Sequence, residues 1–307
     1  EAHANDYGMF NFGDGHTAWD TSRNRWSDTY RCWRALHHGA PRVPWLLYVR
    51  SGDPKYFRHA VRNARHVMDV DICHHTKPEL EDLEWPLGKI VGALNDYKGL
   101  VHWHAGGRLL DYNCMTDFML YDYYLTGDRR GLDVALEWGR AVKRRFTKPF
   151  GGRTGAGVTA ALIELYQATN DAQYKRIAEQ IVKHMFAMQN MDGTQVYSKI
   201  VTDYWPEKTD QRIPLGGVPG WENYAPWIER YYDLTGDQLT GDRIVAWANA
   251  YLEGFGDMCS LWGANEYVNI LAYAYHISRD DRFLAHGHSE LTGFVAASLP
   301  WAAVILI

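Results

Sequence analysis

Five times along the chain an aromatic-rich apolar segment ends in Ser or Thr, a turn residue and Asp, and an amphipathic segment follows at once. The copies are YVRSGDPKYF (48–57), YYLTGDRRGL (123–132), YQATNDAQY (166–174), YYDLTGDQL (231–239) and a degenerate HISRDDRF (276–283). Gly or Asn supplies the left-handed residue that ends one helix, Asp caps the next with its carboxylate, and Pro54 sits where a first helical turn tolerates it. Each copy therefore reads as a tight helix-to-helix turn.

The flanking segments fit helices by apolar spacing: Phe57, Val61, Ala64 and Val67 share a face, as do Leu132, Ala135, Leu136 and Val142, and Ile177, Ile181, Val182 and Met185. Each second segment carries Arg, Lys and Glu on its other face, whereas each first segment is nearly uncharged, so the first helices read as inner and the second as outer. Repeated inner and outer pairs point to an all-α fold of five or six hairpins. The expected architecture is an α/α toroid, a complete or incomplete (α/α)6 barrel, with residues 17–38 supplying a less regular first helix. An open superhelical array is the alternative. The expected organisation is one domain over 1–307, excised or processed from a longer chain because it begins at Glu1 without a signal-like run.

Composition narrows the function classes. The 307 residues hold 32 Lys+Arg against 37 Asp+Glu, a net charge of −5, with 46% hydrophobic and 22% charged residues, the profile of a folded protein. No Lys/Arg cluster of a nucleic-acid-binding face appears. The apolar C-terminal run 294–307 contains Pro300 and is shorter than the roughly 20 residues of a membrane-spanning helix. Cysteines 32, 73, 114 and 259 have no CxxC spacing, which argues against a disulfide scaffold or a Cys-based zinc site. The 13 Trp, 20 Tyr, 10 Phe and 14 His match what a sugar-binding cleft needs: flat apolar faces for the C–H side of a pyranose and polar rims for its hydroxyls. A well-filled core uses the same aromatic residues.

Inner-to-outer turns are short, while the outer-to-inner connections are long: 69–110, 146–154, 189–220 and 255–261. Long connections gathered on one rim make a binding surface. The longest begins DVDICHH and ends HWHAGGRLLDYN, placing His74, His75, His102, His104, Arg108 and Tyr112 at the entrance to one inner helix. Such His groups serve acid/base chemistry or bind metal, with Asp69 or Asp71 able to complete a metal site; surface or structural histidines are the plainer reading. Asp111-Tyr112-Asn113, Glu222-Asn223-Tyr224 and Asn265-Glu266-Tyr267 open three inner helices with the same residue types. With Trp103, Trp221 and Trp262 beside them, they fit a carbohydrate-lined bowl better than capping alone. The Gly-rich stretches 10–16 and 150–157 lack dinucleotide or phosphate-loop context, and read as loops bringing Asp14, His16 or Arg153 to the rim.

DYGMFNFGDGH, YFRHAVRNARHVMDVDICHH, HWHAGGRLLDYNCMTDFMLYDYYLTGD and WENY resemble the C-terminal α/α toroid of the YetA-like rhamnogalacturonan exolyases, from Asp6 to about Arg282. In that family the toroid follows β-rich domains, so the resemblance implies a portion of a secreted, pectin-degrading polysaccharide lyase, extracellular or periplasmic. It further implies β-elimination at a uronic acid: the C5 carboxylate is neutralised, the C5 proton removed and the O4 leaving group protonated. The residue types fit His102 or His104 as base, Tyr112 as acid, and Arg108 or Arg153 with Asn113 on the carboxylate, with His74 and His75 in the same pocket. Trp103, Trp221, Glu222, Asn223, Asn265 and Glu266 would line the sugar site. The sequence requires no cofactor and accommodates a divalent cation; the expected partner is an acidic polysaccharide or oligosaccharide, without nucleic acid or membrane. Two other readings compete. One is a glycoside hydrolase on the same ring, pairing Glu222 with Asp111 or Glu266, and the other is a non-catalytic carbohydrate-binding toroid.

Overall fold

The computed structural model describes residues 19–20, 25–26, 41–76, 91–93, 116–149, 152–187, 227–252, 263–289 and 291–292. The fold is all-α. Its helices are α1 (Arg42–Ser51), α2 (Pro54–His66), α3 (Asp117–Thr126), α4 (Arg129–Arg145), α5 (Gly152–Thr169), α6 (Ala172–Ala187), α7 (Trp227–Thr235), α8 (Gln238–Ala250), α9 (Gly263–Ser278) and α10 (281–289). A π turn, Val67–Asp71, continues α2. β1 (Trp19–Asp20) and β2 (Arg25–Trp26) form a two-residue antiparallel ladder, Trp19 opposite Trp26. Those four residues correct the expectation of a helix through 17–38: extended pairing takes their backbone groups.

All five turns form, with one hydrogen-bond pattern. At the first, Ser51 Oγ donates to Leu47 O (2.6 Å), Asp53 N donates to Ser51 Oγ (3.2 Å), and Asp53 Oδ1 accepts from Lys55 N (2.9 Å). Thr126/Asp128, Thr169/Asp171 and Ser278/Asp280 repeat it, and Thr235/Asp237 does so with one change, Asp237 Oδ2 accepting from Thr240 N one residue further on. The residue between is left-handed in every copy: Gly52, Gly127 and Gly236, but also Asn170 (φ 57°) and Arg279 (φ 61°). Its N–H reaches the carbonyl of a tyrosine four residues back, Tyr48, Tyr123, Tyr166, Tyr232 or Tyr275. The fifth turn thus keeps the geometry while placing a side chain where Gly is at ease.

The chain divides into two compact units, Glu1–Pro149 with Gly157–Ala178, and Phe150–Ala156 with Glu179–Ile307. In the first, hairpins α1/α2 and α3/α4 pack together, with α3 meeting α1, α2 and α4. A Cβ at Gly131 would come within 2.1 Å of Met119 O on α3, and one at Gly139 within 2.6 Å of Leu165 and Tyr174 side-chain atoms, so these glycines set how closely the helices approach α4. The buried face of α4 is Val134, Ala135, Trp138, Ala141 and Val142; Leu132 and Leu136, expected on it, are half-buried. The predicted face of α6, Ile177, Ile181, Val182 and Met185, is buried throughout.

The run 155–163 of α5 is buried on all sides, as expected of an inner helix. α1 is not. Only Pro44 and Trp45 of α1 are buried, while Val43 (48%), Leu46 (50%) and Val49 (67%) are exposed. Lack of charge shows that a helix can be covered, not that it is.

In the second unit α7 packs on α8 and α8 on α9. Phe186, Trp227 and Trp247 form its aromatic centre, with ring centroids 6.2–6.5 Å apart. Arg243 donates to Phe186 O (3.4 Å) and lies over the Phe186 ring.

Candidate functional site

Of the residues expected to carry chemistry, His74 and His75 lie in the described part of the longest connection. His102, Trp103, His104, Arg108, Tyr112, Asn113, Trp221, Glu222 and Asn223 lie outside the described residues. The backbone of Arg153 belongs to α5 and those of Asn265 and Glu266 to the start of α9, with their side chains likewise outside.

His74 is fixed by residues distant in sequence. Its Nδ1 is 2.6 Å from Glu137 Oε2 on α4, while Nε2 meets both Met68 O and Arg130 Nη2, the latter at 3.0 Å. Glu137 fixes a proton on Nδ1. The neutral ring then accepts from Arg130 through Nε2, whereas a doubly protonated ring donates from Nε2 to Met68 O instead. Either way both ring nitrogens have partners within the protein, which tie residue 74 to α4 and to the π turn after α2. His75 is exposed and contributes its backbone O as acceptor for Cys73 Sγ (3.4 Å). The two neighbours do not form a pair.

Around His74 the charges interlock. Arg130 Nε donates to Asp69 Oδ1 at 2.9 Å, Arg65 lies 3.8 Å from Asp69, and Arg65 Nη2 also donates to Asp128, the cap of α4. These pairs place the C-terminal end of α2 against the N-terminal start of α4. The groups are half-exposed, so each pair contributes about 1 kcal/mol or less.

Cys73 exchanges backbone hydrogen bonds with the strip 91–93: Cys73 N donates to Ala93 O (2.8 Å) and Gly92 N to Cys73 O (2.7 Å). Gly92 is left-handed (φ +90°) and presses on α4, where a Cβ would come within 2.8 Å of Trp138 N. Two parts of the connection are therefore pinned to one helix, and the mouth of the connection is built on a rigid element.

The sequence reading missed Arg130 and Glu137, which it treated as solvent-facing charges of an outer helix. It also missed the buried carboxylates Asp122 and Glu229. Both acids stand inside tyrosine-rich apolar runs, DFMLYDYYLT and WIERYYDLT, and a charge at that place was a readable signal. Burial and the neighbouring Asp128 push the Asp122 carboxyl up to about 6, with Arg65 opposing.

Among the described residues no group of three or more His, Cys, Asp or Glu is arranged to hold a metal ion, and no helix is long and apolar enough to cross a membrane. No protein-family model, curated protein or solved structure matches the chain.

Proposed function

We propose that the chain is a polysaccharide lyase that cleaves a uronic-acid-containing polymer of the rhamnogalacturonan type by β-elimination, on a ring of helical hairpins. The observation that supports this most is the fivefold turn. With the hairpins closed by self-contained turns of a few residues, sequence variety is left to the long connections, and the polar and aromatic residues fitted to a uronate are concentrated there. The pinning of residues 72–76 and 91–93 to α4 gives the longest of them a fixed base.

In this reading His102 or His104 takes the C5 proton, Tyr112 protonates O4, and Arg108 or Arg153 with Asn113 holds the carboxylate and the charge that develops on it. Trp103, Trp221, Glu222, Asn223, Asn265 and Glu266 line the sugar subsites. A divalent cation is compatible with the same acidic substrate. The resemblance in motifs further supports an extracellular or periplasmic protein that works with β-rich domains of a longer chain.

Incubating the chain with pectic, ulvan-like and glucuronan polymers while following near-ultraviolet absorbance tests the proposal. Unsaturated uronate ends absorb there. New reducing ends without absorbance would identify a hydrolase instead, and binding without cleavage a carbohydrate-binding domain.

A further inference from the structure

We propose that Glu229 stores a proton inside the second unit and that α7 loosens from its neighbours when that proton leaves. Glu229 is 1% exposed, in the first turn of α7, and neither Oε1 nor Oε2 accepts a hydrogen bond from another residue. A carboxylate held so, away from water and with no donor beyond its own backbone, is far costlier than the neutral acid.

The surroundings do not offset this. Among the described residues, the charges that act on Glu229 from its own helix are Arg230 and Asp233. From α9 the facing group is Tyr273, and its phenol donates to Asp233 Oδ2 at 2.6 Å. On α8, Asp237 caps the helix through Thr240, and Arg243 reaches Phe186 O. On α6, Glu179 acts on Tyr231. Burial pushes the Glu229 carboxyl up to about 7; its own backbone N–H and Arg230 pull it back in part, and Asp233 adds to the rise. An unfolded glutamate releases its proton near pH 4. The folded form therefore retains a proton that the unfolded form has lost; the stability this represents is complete below about pH 4 and drains away as pH rises through about 7.

In sequence α7 follows Trp221, Glu222 and Asn223, so a proton on Glu229 governs the seating of the helix into which that segment runs. The inference holds whichever reaction the chain performs.

Hydrogen–deuterium exchange of the full chain between pH 5.5 and 8.5, corrected for intrinsic exchange, tests it on the peptide 227–235. The wild type is expected to lose protection by about tenfold or more across the range, while Glu229→Gln, which cannot ionise, keeps it. Glu229→Met serves as the reference should the Gln variant not fold. Asp233→Asn removes a like charge and is expected to move the wild-type midpoint to lower pH. Flat protection in the wild type, or a non-ionisable variant that falls in parallel with it, overturns the proposal.

Discussion

His66 Nε2 lies 3.5 Å from Asp71 Oδ1, with both side chains wholly enclosed, and a π turn brings the two together. They are five residues apart. In an α-helix that spacing points side chains well away from each other, whereas the i to i+5 period of the π turn sets them on one face. The turn thus stations a buried acid–base pair where α2 hands over to the long connection. Truncating a wholly enclosed imidazole leaves a cavity beside Asp71, so His66→Ala is expected to cost about 3 kcal/mol in urea unfolding. A cost of a few tenths would show that the pair contributes nothing.

Gly131→Ala places a methyl against the Met119 carbonyl, a backbone atom that cannot swing aside. The expected loss is about 2 kcal/mol or more, with α3 and α4 forced apart. Gly52→Ala is the control. Nothing lies near its Cβ, so its cost is confined to the left-handed backbone, about 1 kcal/mol.

Arg279→Gly relieves the left-handed strain of the fifth turn at the loss of a stacking contact with Tyr275. The net effect is a gain of about 0.5 kcal/mol, measurable as a rise in urea midpoint with unchanged slope.

Asp122, fully buried, is raised in the folded state, so it retains a proton that the unfolded chain releases near pH 4. Its contribution is present in full below about pH 4 and is lost as pH rises through about 6. Asp122→Asn should flatten the stability profile over that range and be more stable than the wild type at pH 8, by roughly 2 kcal/mol. Parallel profiles would show that Asp122 does not titrate there.

If the lyase proposal is right, replacing His102, His104 or Tyr112 lowers turnover by about two to four orders of magnitude where that residue is the acid or base. His74→Ala should act differently. Its ring is committed to Glu137, Met68 and Arg130, so the change loosens residues 72–76 and lowers stability. Cleavage lost with His74→Ala under conditions of full folding would reassign that residue to the chemistry.

The turns were legible because each is closed by atoms a few residues apart: a Ser/Thr hydroxyl, an Asp carboxylate and one left-handed residue say all that the geometry needs. Even the degenerate copy at Ser278 to Asp280 kept every bond. The surroundings of His74 were not legible for the opposite reason. Glu137 is 63 residues away and Arg130 56, and no local pattern announces which side of α4 meets the connection. The exposed Val43, Leu46 and Val49 mark the same limit, since apolar spacing gives a helix its stripe but not its cover.

Turns that complete themselves also bear on the order of events in folding. Closing a loop of a few residues costs little entropy, so each hairpin can form on its own contacts. The pairs that tie the hairpins of the first unit together, Arg65 with Asp128 and Arg130 with Asp69, need closures of some sixty residues and come later. Substitutions in the turns should therefore slow refolding, while substitutions at Arg65 or Asp69 should chiefly hasten unfolding.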